Sequence, residues 1–168
     1  MASIVNHQTN NFMIMKLPKK IKQRVGWFYH VVFRHFVLGL RVKMLNGLYG
    51  MNIAQDARVS LKAKLDFTNP KGIYIGSGTY IAFGAVLLAH DMSRNVSSTV
   101  RIGKNCFIGA NAIIMPGVAV GDSVVVGSGA VVTKSVPNNV IVAGNPAKII
   151  KQGIQTGPLG IIKVSIDE

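Results

Sequence analysis

Through the second half of this chain an aliphatic residue returns every six positions, and that period excludes most ways of folding it. Stepping from Ile102 gives Ile108, Ile114, Val120, Val126 and Val132, all β-branched. Four residues after each stand Cys106, Ala112, Val118, Val124, Ala130 and Val136, all small or apolar. The position directly after the aliphatic residue reads Gly103, Gly109, Met115, Gly121, Gly127 and Thr133, mostly glycine. A helix would return apolar residues at three and four, and a half-buried strand at two. A period of six fits a short extended segment followed by a corner. The aliphatic side chain points inward, a small residue fits the turn, and glycine relieves the backbone where the chain bends. Three such sides close a triangular coil of about 18 residues, and stacked coils pair through their backbones. Each buried Ile or Val then contributes about 1.5–3 kcal/mol.

The beat extends upstream through Ile53, Val59 and Leu65, with Ala57 and Ala63 in the small position. It continues through Ile75, Ile81 and Leu87, with Thr79 and Ala85. It breaks twice. The step from Leu65 to Ile75 is ten, so "TNPKG" (68–72) forms a bulge or small loop. Stepping back six from Ile102 gives Val96, with Val100 in the small position, so the step from Leu87 is nine. That places three extra residues within "HDMSRN", directly after His90. A lone histidine at a corner is either solvated or a proton carrier, and the residues alone leave both open. Imidazole is the side chain that titrates near neutrality, so it suits general-base work.

The length of 168 residues suits one domain. Net charge is +13, and it is unevenly spread: residues 1–50 carry eight basic residues and no acid. "PKKIKQRVGWFYHVVFRHFVLGLRVKMLNGLYG" (18–50) reads as a helical arm with Val25, Phe28, Val32, His35 and Phe36 along one face. The arm has two compatible readings. It caps the open end of the coils, or residues 16–43 lie on an anionic membrane surface, where each Lys or Arg adds about 1 kcal/mol. No nucleic-acid motif accompanies the charge, so nucleic acid is not an expected partner. The single cysteine, Cys106, allows no intrachain disulfide and reads as a buried, inert thiol. No stretch reads as a cleavable signal or a membrane span, so the expected location is the cytoplasm, with the inner face of the membrane as the alternative. "AKIIKQ" (147–152) reads as a short terminal helix, and 153–168 as a tail with a strand at "GIIKVSI". The organisation read from these features is an arm over 1–50, coils over 51–146, and a terminal helix and tail over 147–168.

"IGKNCFIGANAIIMPGVAVGDSVVVGSGAVVTKSVPNNVIVAGNPAKIIK" (102–151) resembles the C-terminal coils of the hexapeptide-repeat acyltransferases, in particular the sugar O-acetyltransferases of the galactoside and maltose acetyltransferase group. The resemblance covers roughly residues 50–152. It implies an all-β fold, a left-handed parallel β-helix, here with an N-terminal helical arm and a short C-terminal helix. The left hand comes from the resemblance, because parallel crossovers are ordinarily right-handed. It also implies a homotrimer with acetyl-CoA held between neighbouring prisms, and transfer of the acetyl group to a sugar or cell-surface polysaccharide precursor.

By that resemblance His90 in "AHD" is the catalytic base, with Asp91 or a backbone carbonyl orienting its ring. Thr133 and Lys134 match the family's Thr-Lys pair at CoA. Lys148 and Lys151 stand where basic residues approach the nucleotide phosphates, and Ala110 and Ser128 where small residues admit the pantetheine arm. No metal is expected: the zinc-dependent relatives with carbonic anhydrase activity use three histidines on successive coils, whereas only His90 lies in the coils here. The alternatives in kind are N-acetyl transfer to an amino sugar, serine-type acetyl transfer, and a non-catalytic scaffold.

Overall fold

The computed structural model describes residues 36–163. Within it, the six-residue repeat becomes a three-sided prism. The first coil holds β1 (Asn52–Ile53), β2 (Arg58–Val59) and β3 (Lys64–Leu65), and the second β4 (Ile73–Ile75), β5 (Tyr80–Ile81) and β6 (Val86–Leu87). A hairpin of β7 (His90–Asp91) and β8 (Val96–Ser97) follows. The third coil holds β9 (Val100–Ile102), β10 (Phe107–Ile108) and β11 (Ile113–Ile114), and the fourth β12 (Ala119–Val120), β13 (Val125–Val126) and β14 (Val131–Val132). After the fourth coil come β15 (Val140–Ala143) and β16 (Lys148–Gln152).

Three sheets form the sides. The first stacks β1-β4-β9-β12, the second β2-β5-β10-β13-β15-β16, and the third β3-β6-β11-β14. Every pairing between coils is parallel. This is the architecture of the left-handed parallel β-helix. The register repeats the sequence phase: Ile53, Ile75, Ile102 and Val120 lie one above another, as do Leu65, Leu87, Ile114 and Val132. These residues form a single continuous core down the prism axis.

A helix over residues 36–49 precedes the first coil. Over the compact unit that begins at Leu38, it closes the open end of the prism. Val42 and Leu45 join the core, and the Arg41 guanidinium donates to the carbonyls of Ser60 and Ala63. The Asn46 carboxamide does the work of a neighbouring strand. Its Nδ2 donates to the Ile53 carbonyl at 2.8 Å and its Oδ1 accepts from the Ile53 N–H at 3.0 Å. Edge groups that would otherwise be orphaned are thereby paired. The earlier part of the expected helical arm, with Val25, Phe28, Val32 and His35, lies outside the described residues, as does the end of "GIIKVSI".

Three expectations are corrected. The segment "AKIIKQ" is a strand: Lys148–Gln152 pairs antiparallel with Val140–Ala143 after a turn at Gly144, whose φ is +98°. Six residues are too few to hold a helix alone, whereas β-branched Ile149 and Ile150 suit the open edge of β15. Secondly, Val96 is 46% exposed and stands outside the core, although it falls in phase. The stacked aliphatic position that follows Leu87 is Ile102, fifteen positions on, so nine residues leave the repeat rather than three.

Thirdly, the glycines directly after the aliphatic residues serve close approach between coils rather than an unusual backbone conformation. A Cβ on Gly109 would meet Ser128 N and Val126 O at 2.6 Å. At these glycine corners the left-handed conformation falls two residues later, for example at Asn105 (φ 52°) and Gly129 (φ 70°).

The tail is packed and useful. Ile154 N–H donates to Asn139 O, Thr156 Oγ1 to Asn105 O, and Leu159 N–H to Gly78 O. It therefore runs back along the corner between the first and second sides, crossing successive coils. Its strand content among the described residues is one antiparallel bridge, Thr156 to Ile162.

Candidate active site

Both breaks in the repeat occur at one corner, between the third side and the first, on adjacent coils. β3 and β6 are register neighbours, and the chain leaves the prism after each. Asp66 follows β3 and His90 lies just beyond β6, so stacking brings together two residues 24 positions apart in sequence.

Asp66 is buried, at 9% exposure. Its Oδ1 accepts from the Thr68 N–H at 2.8 Å and its Oδ2 from the Ala89 N–H at 2.9 Å. Burial raises the carboxyl pKa, but hydrogen bonds from Thr68, Ala89 and Asn69 outweigh it, and the net shift is downward. Asp66 is therefore a carboxylate at neutral pH. His90 Nδ1 lies 3.6 Å from Asp66 Oδ2, an ion-pair separation slightly longer than a hydrogen bond. The other ring nitrogen, Nε2, is buried with no hydrogen-bond partner. Buried polar atoms are nearly always paired, so an orphan of this kind asks for a function.

Asp91 does not perform the orienting role expected for it. Its carboxylate is taken up by its own hairpin: Oδ1 accepts from the Ser93 N–H (2.9 Å) and hydroxyl (2.6 Å), and Oδ2 from Arg94 Nε (2.6 Å). The Ser93 and Arg94 bonds lower its pKa to about 2. Adjacent residues on an extended strand face opposite ways, which turns Asp91 from the imidazole as His90 turns to Asp66. Asp66 lies 24 positions from His90 in the chain, so the sequence alone offers the adjacent Asp91 first. The phase carries a signal: Asp66 follows Leu65 as the His90 segment follows Leu87, each at a break in the beat.

The remaining expected residues are spread over the prism. Thr133 and Lys134 follow β14 at the same corner as His90, two coils higher, or about 10 Å along the axis at the usual spacing of paired strands. Ala110 and Ser128 stack at the next corner, between the second and third sides, where the Gly129 N–H donates to Ala110 O at 2.8 Å. Lys148 and Lys151 lie on β16, the exposed edge of the second side. Cys106 is fully buried, its Sγ donating to Gly121 O, and burial pushes its thiol up to about 11. Among the described residues no group of three or more His, Cys, Asp or Glu side chains could hold a metal ion.

The first side carries an open groove of about 400 Å³, lined by Asn52, Tyr74, Gly76, Gly103 and Ala119. Arg101 stacks over the Tyr74 ring at 4.1 Å across it.

A stacked prism of hexads defines a class of fold, and known proteins share it. A family model described as the hexapeptide repeat of succinyl-transferase matches residues 99–134. The protein YvoF of Bacillus subtilis (strain 168) is 36% identical over 115 residues, which are 65% of this chain and 67% of YvoF. Galactoside O-acetyltransferase of Escherichia coli (strain K12) is 33% identical over 113 residues, 62% of this chain and 56% of that enzyme. The crystal structure of a maltose O-acetyltransferase from Clostridium difficile 630 matches with a TM-score of 0.54 at 28% identity, covering 67% of this chain and 74% of that one. The chain belongs to the hexapeptide-repeat acetyltransferases. It spans about two thirds of the length of one of these curated relatives and just over half of the other.

Proposed function

We propose that the protein transfers an acetyl group from acetyl-CoA to a hydroxyl of a sugar or of a cell-surface polysaccharide precursor, with His90 as general base. The observation that carries this reading is the imidazole itself: one nitrogen beside a buried carboxylate, the other buried and unpaired. In the transfer, Nε2 takes the proton of the acceptor hydroxyl as its oxygen attacks the thioester carbonyl. The tetrahedral intermediate then collapses, the carbon–sulfur bond breaks, and the imidazolium returns the proton to the departing CoA sulfur. Asp66 remains ionised throughout and stabilises the imidazolium. Direct transfer needs no protein nucleophile, in keeping with a single thiol that is buried with its pKa raised.

The CoA side of the reading rests on charge and room. Lysine binds phosphate as a mobile point charge, so Lys134, Lys148 and Lys151 suit the pyrophosphate and 3′-phosphate. Thr133 adds a hydroxyl, and Ala110 and Ser128 leave space for the pantetheine arm. Because these residues occupy more than one corner of a single prism, the reading calls for a homotrimer in which corners of neighbouring protomers face each other across a cleft.

The capping helix turns Leu40, Met44 and Leu48 outward with Lys43 beside them. With the basic residues of the arm, this stripe supports peripheral contact with the anionic inner face of the membrane through residues 16–43, and so action on a membrane-linked glycan in the cytoplasm. Among the described residues no helix is long and apolar enough to cross a membrane.

The test is an acceptor screen that follows release of free thiol from acetyl-CoA, using simple sugars, activated sugars and surface oligosaccharides. Thiol release dependent on a sugar hydroxyl supports the reading. Dependence on an amine moves the protein to N-acetyl transfer, and no release together with no CoA binding overturns the enzyme altogether.

A further inference from the structure

The two excursions from the repeat meet at one side chain. Asn69, in the first excursion, points its Nδ2 at two carbonyls that flank the second. It donates to Ala89 O at 2.9 Å and to Ser98 O at 3.2 Å. These two residues bracket the hairpin of β7 and β8, and the Ser98 N–H closes its neck on Ala89 O at 2.9 Å. Both partners of Asn69 are acceptors, so the carboxamide must present its nitrogen here.

Ala89 is consequently held on both sides. Its N–H is bound by Asp66 Oδ2, and its carbonyl, part of the peptide group leading into His90, receives Asn69 and Ser98. Its methyl group is fully buried, facing Gly72, where an added Cβ would come within 3.1 Å of it and 2.9 Å of Ser98 O. With that peptide group fixed and His90 paired to Ser97 in the hairpin, the backbone that carries the imidazole is held. The bulge "DFTNPKG" thus has a reason to exist: Asp66 faces the ring, and Asn69 fixes the backbone that carries it.

We propose that Asn69 is a positioning residue for His90: by clamping the neck of the hairpin it holds the imidazole with Nδ1 toward Asp66 and Nε2 toward the acceptor. The proposal rests on the reading of His90 as base. An aspartate at 69 keeps the size but offers no donor to the two carbonyls, and an alanine takes that donor from both, leaving the Ala89 carbonyl with the Ser98 N–H alone.

The test uses the full chain and long-range ¹H–¹⁵N spectra of its imidazoles between pH 5 and 9, with His90→Gln identifying the signals of His90. The wild type is expected to show His90 as one tautomer, protonated on Nδ1. Folded Asn69→Asp and Asn69→Ala are expected to show the averaged tautomers of a free histidine. With acetyl-CoA and p-nitrophenyl-β-galactoside as acceptor probe, their turnover should fall about 10²-fold while KM for acetyl-CoA holds within about twofold, the signature of a misaimed group. Loss of stability alone would not mix the tautomers of a folded protein. An unchanged His90 tautomer in either folded variant overturns the proposal. Mixed tautomers in the variants, with a His90→Gln enzyme as active as wild type, leave the clamp standing and overturn His90 as base.

Discussion

Leu65 and Leu87 are register partners on stacked strands, and the chain leaves its six-residue repeat just after each. Because the two departures fall at one corner on successive coils, the residues that follow are forced together. The core below and above stays continuous, since Ile102 resumes over Ile75 and Ile114 over Leu87. The prism thereby gains a site without giving up a buried layer.

The acid behaviour of the protein should depend on Asp66. Its carboxyl is held below the ordinary value of 3.8 by the N–H groups that bond it against the opposing effect of burial. A depressed native pKa means that the unfolded chain binds more protons in this range. The stabilisation is therefore fully present above the ordinary value and is lost as pH falls through the native one. Urea midpoints followed from pH 6 to pH 3 should drop less steeply in Asp66→Asn than in wild type. At pH 6 the variant should already be weaker by about 1–3 kcal/mol, because the Ala89 N–H then faces an amide that pairs with it less well. Equal slopes for the two proteins would contradict this role.

Two glycines with different duties should respond differently to the same substitutions. Gly129 has φ +70° and nothing within 4 Å of an added Cβ, whereas Gly109 lies against the next coil. Gly129→Ala should cost about 1–2 kcal/mol for the left-handed backbone alone, with Gly129→Asn costing less. Gly109→Ala must separate coils, so its cost should reach or exceed the 1–3 kcal/mol usual for overpacking, with Gly109→Asn worse still. Denaturant midpoints of the four variants check the ordering, and the opposite effect of asparagine at the two sites is the discriminating result.

The thiol of Cys106 should be silent until the prism opens. Burial pushes its pKa up to about 11, and it sits beneath Thr79 and Gly121. Reaction with an aromatic disulfide reagent at pH 8 should be slow in buffer and complete at once in denaturant. Rapid labelling of the native protein would show that this corner opens locally.

Much of this fold was legible in the chain because each coil asks the same thing of the same phase. Every inward position needs an aliphatic side chain and every corner a small one, so Ile102 to Val132 announce the prism by repetition. What escaped were features that repetition does not govern. Val96 falls in phase by coincidence, because the hairpin around it happens to place a valine six residues before Ile102. "AKIIKQ" has no period, and its strand state comes from the open edge of β15 rather than from its own propensity. The Asp66–His90 pair depends on two insertions of different length landing on one corner, which spacing along the chain does not display. His90 itself was visible as the one histidine beside a break, while its partner was hidden by the more obvious Asp91.

The most direct measurement is the turnover of His90→Ala beside its affinity for CoA, with the acceptor that the screen identifies. General-base catalysis by a positioned imidazole is worth about 10²–10⁴ in rate, so turnover should fall by that factor. CoA affinity, measured by calorimetry, should stay within about twofold of wild type, because the residues assigned to CoA lie two coils above His90 or at other corners and edges of the prism. Turnover close to wild type, or turnover and CoA affinity lost together, would contradict His90 as the base.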